Sequence, residues 1–202
     1  MLGRLSLWLM LRGSTRDVLF GMPVYLPYRP GERRDATIKN LRTGLAYLAR
    51  YAPATLERAC RDLRGILVWL IPEGAGGFYD RRRRLCLVDG DFAAEPLHPA
   101  QLALLIAHEA MHARLHECPY GTPAERVRVE RLCVKAEILV ASRIPGGEAM
   151  VQYLTERRLN ALDPSDYTDA AMRERELADP RRRTLWQLLF RGRASPESRM
   201  DA

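Results

Sequence analysis

Apolar residues recur at three- and four-residue intervals over most of the chain, a spacing that predicts helices. Residues 2–20 read as a first helix, ended near Gly21 and Pro23. Val24 to Arg34, with Pro27, Pro30 and Gly31, reads as an extended connection. A long helical region follows over 36–64. Ile38, Leu41, Leu45 and Leu48 line one face of its first part, and Pro53 starts a second helix with Leu56, Ala59, Cys60 and Leu63 inward. Gly65 marks a change of pattern. Ile66 to Ile71 is a continuous apolar run and reads as a buried strand, Pro72 to Gly77 as a turn, Phe78 to Asp80 as a short second strand, and Leu85 to Asp89 as a third. Pro99 opens a helix that runs to about His116. After Pro119, Gly121 and Pro123 a second long helix runs from about Ala124 to Arg143, where Pro145-Gly146-Gly147 breaks it. Helices are also expected at 148–161 and 166–178, and a weakly patterned one at 183–190. The expected fold class is α+β: a mostly helical domain whose small sheet packs against the helix that begins at Pro99. Residues 1–192 are read as one domain and 193–202 as a flexible tail.

Composition narrows the classes of function. The formal charge is +7, from 32 basic and 25 acidic residues. Only Lys39 and Lys135 are lysines, so the excess is almost all arginine, a skew that coding bias produces as readily as a nucleic-acid surface does. The runs Arg81-Arg82-Arg83-Arg84 and Arg181-Arg182-Arg183 are short and lack interleaved aromatics. They read as solvated surface, and no specific nucleic-acid partner is expected. The four cysteines, Cys60, Cys86, Cys118 and Cys133, form no CxxC pair, which argues against a thiolate zinc knuckle. They are read as reduced and mostly packing residues of a cytoplasmic protein. Leu5 to Leu11 is apolar apart from Ser6 and is flanked by Arg4 and Arg12. It is too short to span a bilayer and has neither a long apolar region nor a small-residue cleavage site. A core or amphipathic helix is the plainer reading; weak peripheral membrane contact through Trp8 and its leucines is the alternative.

The candidate chemistry lies in His108-Glu109-Ala110-Met111-His112, an HExxH pattern on the helix that begins at Pro99. Positions four apart share a helix face, so two imidazoles at this spacing can hold one zinc ion. Turning about 100° per residue places Gln101, Leu104, Leu105, His108, Met111, His112 and Leu115 on one broad face, with Glu109 at its edge. An apolar face carrying two histidines must satisfy four ring nitrogens, and a metal satisfies two. The plain alternative is two hydrogen-bonded histidines beside a solvated glutamate.

A zinc site needs a third ligand. The return helix offers Glu125, Glu130 and Glu137, and the last two are seven apart on one face with Val127, Val134 and Ala141. At about 1.5 Å per residue, His112 and His108 lie about 6 and 12 Å from the end of their helix. Glu130 lies about 9 Å along the return helix, level with them, and Glu137 about 20 Å along it. Glu130 is therefore the third ligand, and Glu137 is left to orient a ligand or pair with a buried arginine. His116 continues the four-residue series, but three ligands on one straight helix would strain a tetrahedral site. It reads as a residue favoured by the helix C-terminus or bordering the cleft. With His108, His112 and Glu130 as ligands, the fourth position is open. Glu109 would then take a proton from a water there as it attacks a polarised carbonyl, and deliver it to the leaving amine. Tyr120, Tyr153, Tyr167 and the arginines are candidates for stabilising the developing oxyanion. Phe78 to Tyr79 or Leu85 to Val88 could offer a strand edge to an extended peptide.

The motif followed by Glu130 resembles the zincin metallopeptidases of the gluzincin type, and His116 makes the stretch similar to the HExxHxxxH form of the ImmA/IrrE-like bacterial peptidases. The resemblance covers roughly 66–143. It implies zinc bound by His108, His112 and Glu130, with Glu109 as general base in cleavage of a peptide or protein substrate. Met111 stands where that bacterial group has glycine, Val134 where an orienting acid or asparagine often follows the ligand glutamate, and Cys118 where a metzincin would place its third histidine. The competing expectation is a non-catalytic domain stabilised by zinc and used in structure or protein interaction.

Overall fold

The computed structural model describes residues 14–26, 32–69, 71, 76–95, 98, 100–116, 121–168 and 171. Leu5 to Leu11, Tyr120, Cys118, the run Arg181 to Arg183, the 183–190 helix and the tail from 193 all lie outside the described residues. The fold is α+β, with a five-stranded mixed sheet. The strands are β1 (Thr15–Leu19), β2 (Met22–Leu26), β3 (Gly65–Trp69), β4 (Gly77–Asp80) and β5 (Leu85–Asp89), in the spatial order β1-β2-β3-β5-β4. β1 and β2 form an antiparallel hairpin, β2-β3 and β3-β5 are parallel pairs, and β4 returns antiparallel on β5. The helices are α1 (Glu32–Tyr51), α2 (Pro53–Asp62), α3 (Gly90–Ala94), α4 (Ala100–Arg114), α5 (Pro123–Ala141) and α6 (Glu148–Tyr153). A π-helix over Leu154–Leu159 continues α6, and a 3-10 turn spans Pro164–Tyr167.

Three expectations are corrected. Residues 15–19 are strand, not helix, and residues 22–26, most of them assigned to an extended connection, are the strand paired with it. Leu19 faces Met22 across a two-residue loop in which Phe20 has φ 51° and Gly21 φ 80°, the left-handed geometry that suits a tight hairpin. The small sheet therefore has five strands rather than three. The third correction concerns the segment after α5. The expected 148–161 helix is α-helical only to Tyr153, and the 166–178 segment begins as the 3-10 turn.

Central strands explain the continuous apolar runs. Gly65–Val68 and Leu85–Val88 are buried on both faces, as parallel strands inside a sheet are. Met22, Val24, Leu26, Ile66, Val68, Cys86 and Val88 join the main core with α1, α2, α4 and α5, while Leu67, Ile71, Leu85 and Leu87 form a smaller cluster on the opposite side. α4 is the centre of the domain. Leu102, Ala103, Leu104, Ile106, Ala107, His108, Glu109, Ala110 and Ala113 are all buried, so it has no polar face. Its small residues admit close neighbours. A Cβ built on Gly44 of α1 would lie 2.8 Å from Leu102 Cβ and 3.2 Å from the Ala103 nitrogen. Gly44→Ala gains at most about 1 kcal/mol of helix propensity but must push α1 off α4, at about 1–3 kcal/mol. A net loss of stability of about 1–2 kcal/mol is expected, read as a lower urea midpoint at unchanged slope.

The start of α5 is fixed by a reciprocal cap. Thr122 Oγ1 accepts from the Glu125 backbone N–H at 3.2 Å, and Glu125 Oε2 accepts from the Thr122 N–H at 2.9 Å. Glu125 is thus spent at the helix start, and the cap sets the register that carries Glu130 to the level of the histidines. The Arg81–Arg84 run is the β4-β5 turn. Arg81 donates to the His116 carbonyl, Arg83 pairs with Asp80, and Arg84 Nε donates to the Asp62 carbonyl at 3.0 Å. Among the described residues no helix is long and apolar enough to cross a membrane.

Candidate metal centre

α4 and α5 pack along their lengths and bring two histidines and three acids of the sequence reading to one place. His108 Nε2 and His112 Nε2 face each other at 3.1 Å, their rings inclined at 62°. Glu130 reaches both: Oε2 lies 3.5 Å from His108 Nε2 and Oε1 lies 3.3 Å from His112 Nε2. Behind His108, Glu137 Oε1 accepts from Nδ1 at 2.5 Å. A carboxylate only accepts, so Nδ1 carries a proton, and Nε2 faces His112 and Glu130. Arg158, from the π-helix, donates to both Glu137 oxygens at 2.6 and 2.7 Å. Glu137 is therefore the buried acid that orients a histidine and pairs with an arginine.

Cys133 completes the cluster, and the sequence reading missed it. Its sulfur and one nitrogen each of His108 and His112 all lie within 4.8 Å of one another, so this buried group could hold a metal ion. The signal was present. Glu130, Cys133 and Glu137 stand at i, i+3 and i+7, one face of α5, and a thiol on that face must point where the carboxylates do. Reading the cysteines as mostly packing residues hid it. His116 stands apart. Its Nδ1 is hydrogen-bonded to the Tyr79 hydroxyl at 3.0 Å, which ties the end of α4 to β4.

Glu109 is not at the edge of a face. It is 3% exposed, and its Oε2 has no hydrogen-bond partner among the described residues. The reason is the burial of α4 on every side: the sheet residue Cys86 is close enough to feel the Glu109 charge. A buried carboxylate oxygen without a partner is rare and costly, and marks a place where a ligand or water belongs.

The charges of the site compete strongly. Burial pushes the Glu109 carboxyl up, while His108 and His112 pull it back. For His108, burial works against the charged ring, but the hydrogen bonds to Glu130 and Glu137 outweigh it and lift the group to about 10. Burial also acts against the Glu130 carboxylate, yet its bonds to both histidines hold it well below the usual carboxylate range. The Cys133 thiol is driven up by burial and then by Glu130, Glu109 and Glu137. Glu130 and Glu137 thus favour positive charge at His108, the requirement of a cation site.

Of the oxyanion candidates, Tyr153 is 60% exposed, and Tyr167 receives Arg126 on its backbone carbonyl at 2.8 Å. β4 is an edge of the sheet, whereas β5 lies between β3 and β4, so Leu85 to Val88 offers no free edge. Comparison of the chain with protein-family models, curated proteins and solved structures found no match.

Proposed function

We propose that this protein is a zinc-dependent hydrolase of the gluzincin type, a metallopeptidase that uses Glu109 as general base. One observation carries the reading. The distances among His108 Nε2, His112 Nε2 and the Glu130 oxygens are 3.1, 3.5 and 3.3 Å. Zinc held at about 2.0–2.1 Å by tetrahedral nitrogen and oxygen ligands requires ligand atoms about 3.3 Å apart. The two nitrogens, and the Glu130 carboxylate that turns a different oxygen to each, are thus separated by about the edge length of that tetrahedron. Calcium and magnesium sites favour oxygen-only donors, which this set is not.

His108, His112 and Glu130 would hold the metal, and Glu137 would keep His108 in the tautomer that offers Nε2. When bound, zinc supplies a Lewis acid that polarises a carbonyl and acidifies a water. Glu109 Oε2 is the atom placed to accept a proton. Burial favours its protonated form, which helps it hold that proton until the leaving nitrogen takes it. The β4 edge supports a peptide as substrate. It runs beside α4, with Gly77 against Leu105 and Tyr79 bonded to His116, so a strand paired to β4 would lie along the motif helix.

Metal analysis of the purified full chain tests the site, and hydrolysis of a peptide library by zinc-loaded protein tests the activity. About one zinc per chain is expected, with Glu130→Ala losing most of it. Cleavage should stop on chelation and return with zinc. Absence of zinc from both native and zinc-supplemented protein would defeat the metal reading. Intact peptides after incubation with fully loaded protein, wild type and Cys133→Ala alike, would defeat the peptidase reading alone.

A further inference from the structure

Two groups of this chain compete for the remaining position at the zinc site, and they belong to different kinds of centre. Glu109 belongs to an open site, where a water stands beside a base. Cys133 belongs to a closed one, where a fourth protein ligand completes the shell. Cys133 is fully buried on the Glu130 face of α5, and its sulfur is within 4.8 Å of both imidazoles. A zinc-bound thiolate needs a sulfur-to-nitrogen separation of about 3.6 Å, so the sulfur is within about an ångström of its place. It carries no other acceptor or donor bond among those described, and no apolar requirement calls for a thiol between three carboxylates. Thiolate is also the best zinc ligand of the set.

We infer that Cys133 caps the zinc in the resting protein, giving a closed shell of His108, His112, Glu130 and Cys133 that must release its sulfur before a substrate can be turned over. The inference rests on the zinc reading above and adds latency to it. On capping, the Cys133 S–H bond breaks, its proton passes to solvent, and the sulfur electron pair binds the metal. On release, the sulfur takes a proton back and the position beside Glu109 opens. Such a site keeps a peptidase quiet until a ligand strong enough to displace a thiolate arrives.

Cobalt(II) substitution of the full chain tests this. The cobalt-loaded wild type is expected to show an intense near-ultraviolet thiolate-to-metal charge-transfer band alongside tetrahedral visible bands. The band should vanish in Cys133→Ser and persist in Cys86→Ala, the other buried thiol near Glu109. Zinc-edge X-ray absorption of the wild type should show one sulfur at about 2.3 Å, a reading that needs no variant to fold. Bound cobalt without the charge-transfer band, or zinc with only nitrogen and oxygen neighbours, overturns the cap and leaves the zinc site standing. Failure to bind cobalt or zinc at all overturns the cap together with the metal reading beneath it.

Discussion

Glu109→Gln is expected to retain its zinc and to lose peptide turnover by about 10²–10⁴-fold, the usual contribution of a positioned general base. The substitution keeps the shape of a side chain that is 3% exposed, so packing against β5 and α5 is preserved. The amide cannot accept the proton that Glu109 Oε2 would take. It also removes a carboxyl whose charged form burial disfavours, so folding stability should hold or improve slightly. Zinc content by mass, a urea transition and single-turnover hydrolysis separate these effects. Turnover equal to wild type in a fully loaded variant would remove Glu109 from the chemistry.

Arg158→Ala is expected to damage the protein from further away. Arg158 holds both oxygens of Glu137, which is 4% exposed and whose other partner is His108. Removing it strands a buried carboxylate, a change that ordinarily costs about 3–5 kcal/mol. The Arg158 side chain is 40% exposed, so water can enter in its place and the lower end, about 3 kcal/mol, is expected. Glu137 would then hold His108 less firmly, and zinc affinity should fall about 10–100-fold. Arg158→Lys should recover only part of either loss, because a single ammonium cannot match both oxygens as the fork does. Unchanged zinc affinity in Arg158→Ala would limit the clamp to stability.

Much of this was legible in the sequence, for identifiable reasons. Helix spacing places α1, α2, α4 and α5 within a few residues, and rise per residue singles out Glu130 as level with the two histidines. The β1-β2 hairpin was not legible because its turn is Phe20-Gly21. A phenylalanine with positive φ carries none of the turn chemistry by which Asn-Gly or Asp-Gly announces itself. The burial of Glu109 was hidden by the assumption that a helix has one inner face. The alanines at 103, 107, 110 and 113 were the signal that neighbours approach α4 from all sides. Cys133 was lost to a rule about paired cysteines that does not apply to a lone thiol on a ligand-bearing helix. Arg158 reaches Glu137 from a π-helical turn, closed by the Asn160 N–H on the Thr155 carbonyl at 3.0 Å, and no spacing rule anticipates where such a turn aims its side chains.

The π-helical clamp gives the site an order of assembly during synthesis. His108, His112, Glu130, Cys133 and Glu137 all leave the ribosome before Arg158, which follows Glu137 by 21 residues. A nascent chain that ends at Ala141 has every metal-binding atom but carries Glu137 as an unanswered charge. The histidine it should steady is then free to turn, and an ion captured at that stage is held loosely and easily exchanged. Firm retention would begin only when the segment to Asn160 has emerged and the last turn has closed. On the proposed reading, selection of a metal would be deferred to the finished fold, because the clamp on Glu137 is the last part of the site to form.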